Sequence, residues 1–99
     1  MEIKKTINET CCDIRLIGSL DTLTAPQLDA EFAELGEDIR EINLDMEDLK
    51  YISSAGLRSL LVEQKKMMAV EGTMVLKNVR PEIYDILEIT GFVEILTIE

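Results

Sequence analysis

The stretch Asp48-Leu49-Lys50-Tyr51-Ile52-Ser53-Ser54-Ala55-Gly56-Leu57-Arg58 puts two adjacent hydroxyls where a strand end turns into a helix. The first-turn amides of a helix lack intrahelical partners and the positive end of its dipole lies there. An added phosphate, with about −1.5 to −2 charges, is therefore favoured at that position. A serine at such a turn is also an ordinary N-cap, accepting from a first-turn N–H. A cap uses only one serine. With Ser53 in that role, Ser54 lies in the first turn with its hydroxyl free, and the small Ala55-Gly56 pair lets another protein's backbone or a nucleotide come close. That arrangement suits a kinase acceptor.

Other chemistry is thinly supplied. The chain has no His, which removes Ser-His-Asp and Cys-His catalysis, His-based zinc sites and the usual near-neutral proton shuttle. Ser54 as a covalent nucleophile has no candidate base and no G-x-S-x-G elbow around it, so no enzymatic activity is expected. No glycine-rich phosphate loop of the Walker type is present. Cys11 and Cys12 are adjacent; on a strand they point to opposite faces and neither bridge nor chelate, so they read as reduced thiols. Asp45, Glu47 and Asp48 read as a solvated acidic group, Asp21 as a turn former at a strand end, and Met67-Met68 as one core and one exposed residue. Neither a cofactor nor a metal site is expected.

These residues need elements to hold them. Residues 2–7 and 10–18 read as two strands joined at Asn8-Glu9, with Cys12, Ile14 and Leu16 inward and Gly18 ending the second. Thr24-Ala25-Pro26-Gln27 has the form of a capping box, opening a helix with Leu28, Phe32 and Leu35 on one face that closes at Gly36. Residues 41–46 alternate as a strand, followed by a turn at Glu47-Asp48. The longest helix runs from the serine pair to Gly72, with Leu57, Leu60, Leu61, Met67 and Met68 apolar and Arg58, Glu63, Lys65 and Lys66 polar. A strand at 73–77, a helix from Arg80-Pro81 to Gly91 and a strand at 93–98 complete the order ββαβαβαβ. Three β-α-β crossovers after a hairpin predict a mixed, mostly parallel sheet, and the alternation in its strands predicts helices mainly on one face. The fold class is α/β.

Composition sets the partners. Twenty acidic against ten basic residues give a net charge of −10, which repels a phosphate backbone and an anionic membrane surface alike, so neither nucleic acid nor direct membrane binding is expected. Ninety-nine residues with 46% hydrophobic content and no linker or repeat predict a single domain over 1–99 that folds without a staple. The N-terminus, Met1-Glu2-Ile3-Lys4-Lys5, lacks the apolar region of a signal peptide, and a cytoplasmic protein is expected.

The stretch D-L-x-x-I-S-S-A-G-L-R over 48–58 resembles the signature of STAS domains, the family of bacterial anti-sigma factor antagonists. Three further landmarks agree in order: Gly18-Ser19-Leu20-Asp21 with the family's G-x-L-D, Glu71-Gly72-Thr73-Met74-Val75-Leu76 with its glycine before a strand, and Ile89-Thr90-Gly91-Phe92 with its late small-Gly-hydrophobic turn. The resemblance implies a STAS-like fold, phosphorylation at Ser54, and a partner-binding surface of Asp21, Ser53, Ser54, Ala55, Gly56 and Arg58. It also implies the partner, an anti-sigma factor with a histidine-kinase-like ATP-binding fold, and through it a sigma factor released for transcription. Ser53 stands where the family often has Asp, and Ala55 where it often has a hydroxyl. The same resemblance admits an interaction subunit of another assembly, such as a phospholipid-transport ABC complex, independent of phosphorylation.

Overall fold

Alternating apolar and polar residues set the first two strands, β1 (Glu2–Asn8) and β2 (Cys11–Leu20), which the computed structural model, describing residues 1–99, joins in an antiparallel hairpin. The chain continues through α1 (Ala25–Ala33), β3 (Glu41–Ile52), α2 (Ser54–Ala69), β4 (Thr73–Lys77), α3 (Pro81–Ile89), a 3-10 turn (Phe92–Glu94) and β5 (Thr97–Ile98). The sheet runs β1-β2-β3-β4-β5, with every pair after the hairpin parallel, as three helical crossovers require.

The two faces of this sheet have opposite character. Cys12, Ile14 and Leu16 of β2, Ile42, Leu44 and Met46 of β3, and Met74 and Leu76 of β4 are buried beneath Leu28 and Phe32 of α1, Leu57, Leu60 and Met67 of α2, and Ile83 and Leu87 of α3. Asp13, Arg15, Asn43, Asp45 and Lys77 stand on the opposite, wet face. Helices on one face and water on the other is what the alternation predicts. Cys11 and Cys12 divide between the faces, the second fully buried, and Met67 is core while Met68 is exposed.

Several boundaries differ from the sequence expectation, each for a local reason. Glu47-Asp48 is not a turn: β3 runs on to Ile52 through two irregularities, the register passing from Arg15↔Asp45 to Ile17↔Asp48 and from Gly18↔Leu49 to Ser19↔Tyr51. An extra residue at each β-bulge moves the inward position from Met46 to Leu49 and then to Ile52, a spacing of three that breaks the alternation without ending the strand. Gly18 does not end β2 either; it sits at φ 112 beside the second bulge, a backbone conformation that needs glycine. Helix α1 ends at Ala33, short of Gly36. The expected strand at 93–98 is reduced to Thr97–Ile98, because Gly91 at φ 81 leads into a 3-10 turn closed by the Ile95 amide donating to Phe92 O at 3.0 Å, with the Leu96 amide donating to the same oxygen at 2.8 Å.

The capping box at Thr24 is also absent. Its hydroxyl accepts from the Asp21 amide at 2.8 Å and donates to Ser19 O at 2.7 Å, while Gln27 Nε2 donates to Met1 O at 3.0 Å. Thr24 stands at the N-cap without a side-chain cap bond, and Asp21 instead holds the turn before the helix, its Oδ1 accepting from the amides of Leu23 and Thr24 at 3.0 and 3.1 Å. A carboxylate that serves the amides two and three residues on makes an Asx turn, as expected of an Asp at a strand end.

Candidate functional site

The longer β3 carries the serine pair to the end of the sheet beside the end of β2. Leu20 pairs with Ile52, and the Ser53 amide donates to Leu20 O at 2.9 Å. Ser53, extended at φ −99 and ψ 175, starts α2: its carbonyl accepts the first helical bond from Leu57 N at 2.9 Å, and its Oγ accepts from Gly56 N in a long bond of 3.4 Å. Of the two serines that could cap the helix, the structure uses Ser53.

Ser54 is therefore the first residue of a 16-residue helix, exposed, its hydroxyl in no hydrogen bond within the chain. One turn on, Arg58 is exposed and forms no ion pair within the chain, at the i+4 spacing from which it can reach a group carried by Ser54. The unpaired first-turn amides, the dipole and Arg58 all favour a dianion there.

Gly56 has a different place from the one expected. It is buried, and a Cβ at this position would lie 2.7 Å from Leu20 Cγ and 2.9 Å from Leu20 O, so the missing side chain makes room for β2 and not for a partner. Ala55 is half-buried at the mouth of a depression between α1 and α2, which Thr22 and Arg58 also line. Asp21 lies at the adjoining strand end, half-buried, with Oδ1 committed to its own loop. Asp21, Ser53, Ser54, Ala55 and Arg58 thus gather at one end of the sheet, with Gly56 as the close contact beneath them.

The acidic residues of β3 fall on the wet face, away from this end. Asp48 is ion-paired to Arg15, and Asp45 Oδ1 accepts from the Glu47 amide at 3.0 Å and Asn78 Nδ2 at 3.1 Å. Cys11 on the same face donates to Glu41 Oε2 at 3.0 Å, and that carboxylate pushes the thiol up to about 11.

Two further residues escape a reading of the sequence. Leu23, 89% exposed, projects from the loop that Asp21 holds; its signal is an aliphatic side chain between threonines with no periodic partner. Glu63, read above as part of the polar face of α2, is 6% exposed, and burial raises its carboxyl above the usual glutamate range. No helix is long and apolar enough to cross a membrane.

A family model for the STAS domain matches residues 2–99. The chain is 38% identical over 84 residues to BtrV of Bordetella bronchiseptica, a candidate anti-sigma factor antagonist, covering 84% of this chain and 72% of that one. It is 25% identical over 91 residues to the anti-sigma-B factor antagonist of Bacillus subtilis, covering 92% and 84%. Among solved structures, the Bacillus anti-sigma factor antagonist SpoIIAA superposes in its unphosphorylated form with a TM-score of 0.78 at 21% identity, covering 99% of this chain and 87% of the other. The phosphorylated form gives the same TM-score and identity, with 99% and 91% covered.

Proposed function

This chain belongs to the STAS domain family, and from that premise we propose that it is an anti-sigma factor antagonist working as a partner switch. Unphosphorylated, it binds an anti-sigma factor in the cytoplasm through the surface around Ser54 and Asp21, and the sigma factor held by that partner is freed. The partner is a serine kinase with a histidine-kinase-like ATP-binding fold, and it ends the complex by phosphorylating Ser54. The antagonist names of two relatives, 38% and 25% identical, support this reading.

One observation carries the assignment to Ser54: of two adjacent serines, Ser53 is spent on the cap of α2 while the Ser54 hydroxyl is exposed and unengaged. In the transfer, Ser54 Oγ bonds to the γ-phosphorus of the partner's ATP. The bond to the bridging oxygen of ADP breaks, and the hydroxyl proton passes to a base of the partner. This chain supplies the acceptor and no catalytic group.

The switch follows from where the charge is added. In the free protein the dianion is stabilised by first-turn amides, the dipole and Arg58. In the complex the same dianion is desolvated against the partner, so phosphorylation penalises the complex alone. Incubation with the kinase and ATP, followed by mass spectrometry, tests the assignment: phosphate on Ser54, retained in Ser53→Ala and absent in Ser54→Ala, supports it, and phosphate on another residue contradicts it.

A further inference from the structure

Glu63 is the buried ionisable group that neither the fold nor the switch explains. It is 6% exposed, yet its carboxylate is in no hydrogen bond or ion pair within the chain. It lies at the junction of two depressions between α1 and α2, of about 340 and 230 Å³, which share Phe32, Glu63 and Lys66. Together they form one groove, and its upper end reaches Ala55 and Thr22, next in sequence to Ser54 and Asp21.

The charges around Glu63 do not satisfy it. Asp29 of α1 opposes its ionisation and Lys66, one turn along α2, favours it, but the lysine stays beyond ion-pair distance, and Arg58 stands further up the groove wall. The carboxylate oxygens keep a narrow contact with water in the groove, since the one fully buried side-chain atom without a partner is Gln64 Oε1 on the next residue. A carboxylate so little hydrated and without an ion-pair partner is one that a bound cation would stabilise further. The apolar walls, Phe32 and the half-exposed Val62, suit the aliphatic stem of a long cationic side chain whose head meets the carboxylate.

We infer that the α1–α2 groove receives an arginine side chain of the anti-sigma factor, with its guanidinium on Glu63. This inference rests on the partner-switch reading and adds a second anchor to it, about two and a half helical turns from Ser54 and independent of phosphate. The free protein holds its carboxylate unpaired, and association neutralises it. Binding and stability are thereby set against each other: removing the charge weakens the complex but does not weaken the fold.

Two measurements decide it. The first titrates the 15N-labelled chain with N-acetyl-arginine methylamide, and with the uncharged citrulline equivalent as control, following amide shifts by NMR. Saturable shifts along the groove with arginine only, abolished in Glu63→Gln, are expected; equal shifts with both compounds, or none with arginine, overturn the inference. The second measures by calorimetry the affinity of the anti-sigma factor for wild type and Glu63→Gln, with thermal denaturation of each free protein. A loss of about tenfold or more in affinity with no loss of Tm is expected. Equal affinity overturns the groove inference and leaves the switch standing, whereas an anti-sigma factor that ignores the wild-type chain overturns the switch, with the arginine titration still deciding the groove.

Discussion

The backbone amide of Ser53 donates to the carbonyl oxygen of Leu20 at 2.9 Å, so the residue that caps α2 is tied to the residue that precedes Asp21. Through this bond Ser54 and the Asp21 loop form one surface, although they are more than thirty positions apart in sequence. Everything proposed for the site depends on that junction, and the predictions begin there.

Gly56 closes the junction. In Gly56→Ala the added methyl meets Leu20 Cγ at 2.7 Å and the Leu20 carbonyl at 2.9 Å, and the backbone cannot yield as a flexible side chain would. The expected cost is about 1–3 kcal/mol, read as a Tm lower by roughly 5–20 °C for a domain of this size. An unchanged Tm would show that α2 and β2 are free to separate.

The two serines divide structure from function. Ser53→Ala loses the cap and is expected to destabilise by about 1 kcal/mol in urea denaturation, less than the strongest caps because the bond is a long 3.4 Å. Ser54→Ala removes an unengaged hydroxyl and is expected to fall within about 0.5 kcal/mol of wild type. The reverse order of costs would reassign the cap.

Much of this was legible in the chain itself. The element order, the mixed sheet, the one-sided helices, the opposite orientations of Cys11 and Cys12 and a cap within the Ser53-Ser54 pair all follow from spacing and residue type. The bulges of β3 were not, because Met46, Leu49 and Ile52 at intervals of three mimic a strand that ends and restarts, and only pairing with β2 shows it to be continuous. Nor was the last strand: Phe92 through Ile98 is rich in β-formers, but the bond from Leu96 N to Phe92 O winds most of it into a turn. Glu63 escaped because its neighbours Asp29 and Phe32 come from another helix, and a helical wheel of α2 alone places it among polar residues.

The burial of Glu63 sets a pH dependence. Its carboxyl is raised in the folded chain, chiefly by desolvation, so over the window above the ordinary glutamate value of 4.5 the folded state binds more protons than the unfolded one. Stability from this residue is then complete below that value and is lost as pH rises through the raised one. Comparing wild type with Glu63→Gln isolates it from the other carboxylates: the variant is expected to gain on wild type as pH rises from about 4 to 7. Parallel curves would place Glu63 in water.

Cys11 is expected to resist alkylation. With its thiol pushed up to about 11 by the Glu41 carboxylate, thiolate at pH 8 is on the order of one part in a thousand. Glu41→Gln removes the largest cause, and labelling by iodoacetamide at pH 8 is expected to quicken several-fold. Rapid labelling of the wild-type chain would show that the bond from Cys11 to Glu41 does not persist.

The most direct test of the switch is the affinity of the anti-sigma factor for three forms of the chain: wild type, Ser54→Ala and Ser54→Asp, each first used to isolate its partner from the source organism. A kinase-fold protein bound by wild type and Ser54→Ala and lost with Ser54→Asp is the predicted result. Equal retention of one partner by all three, such as the ATPase of a transporter, would contradict the switch and make the chain a phosphate-independent assembly subunit.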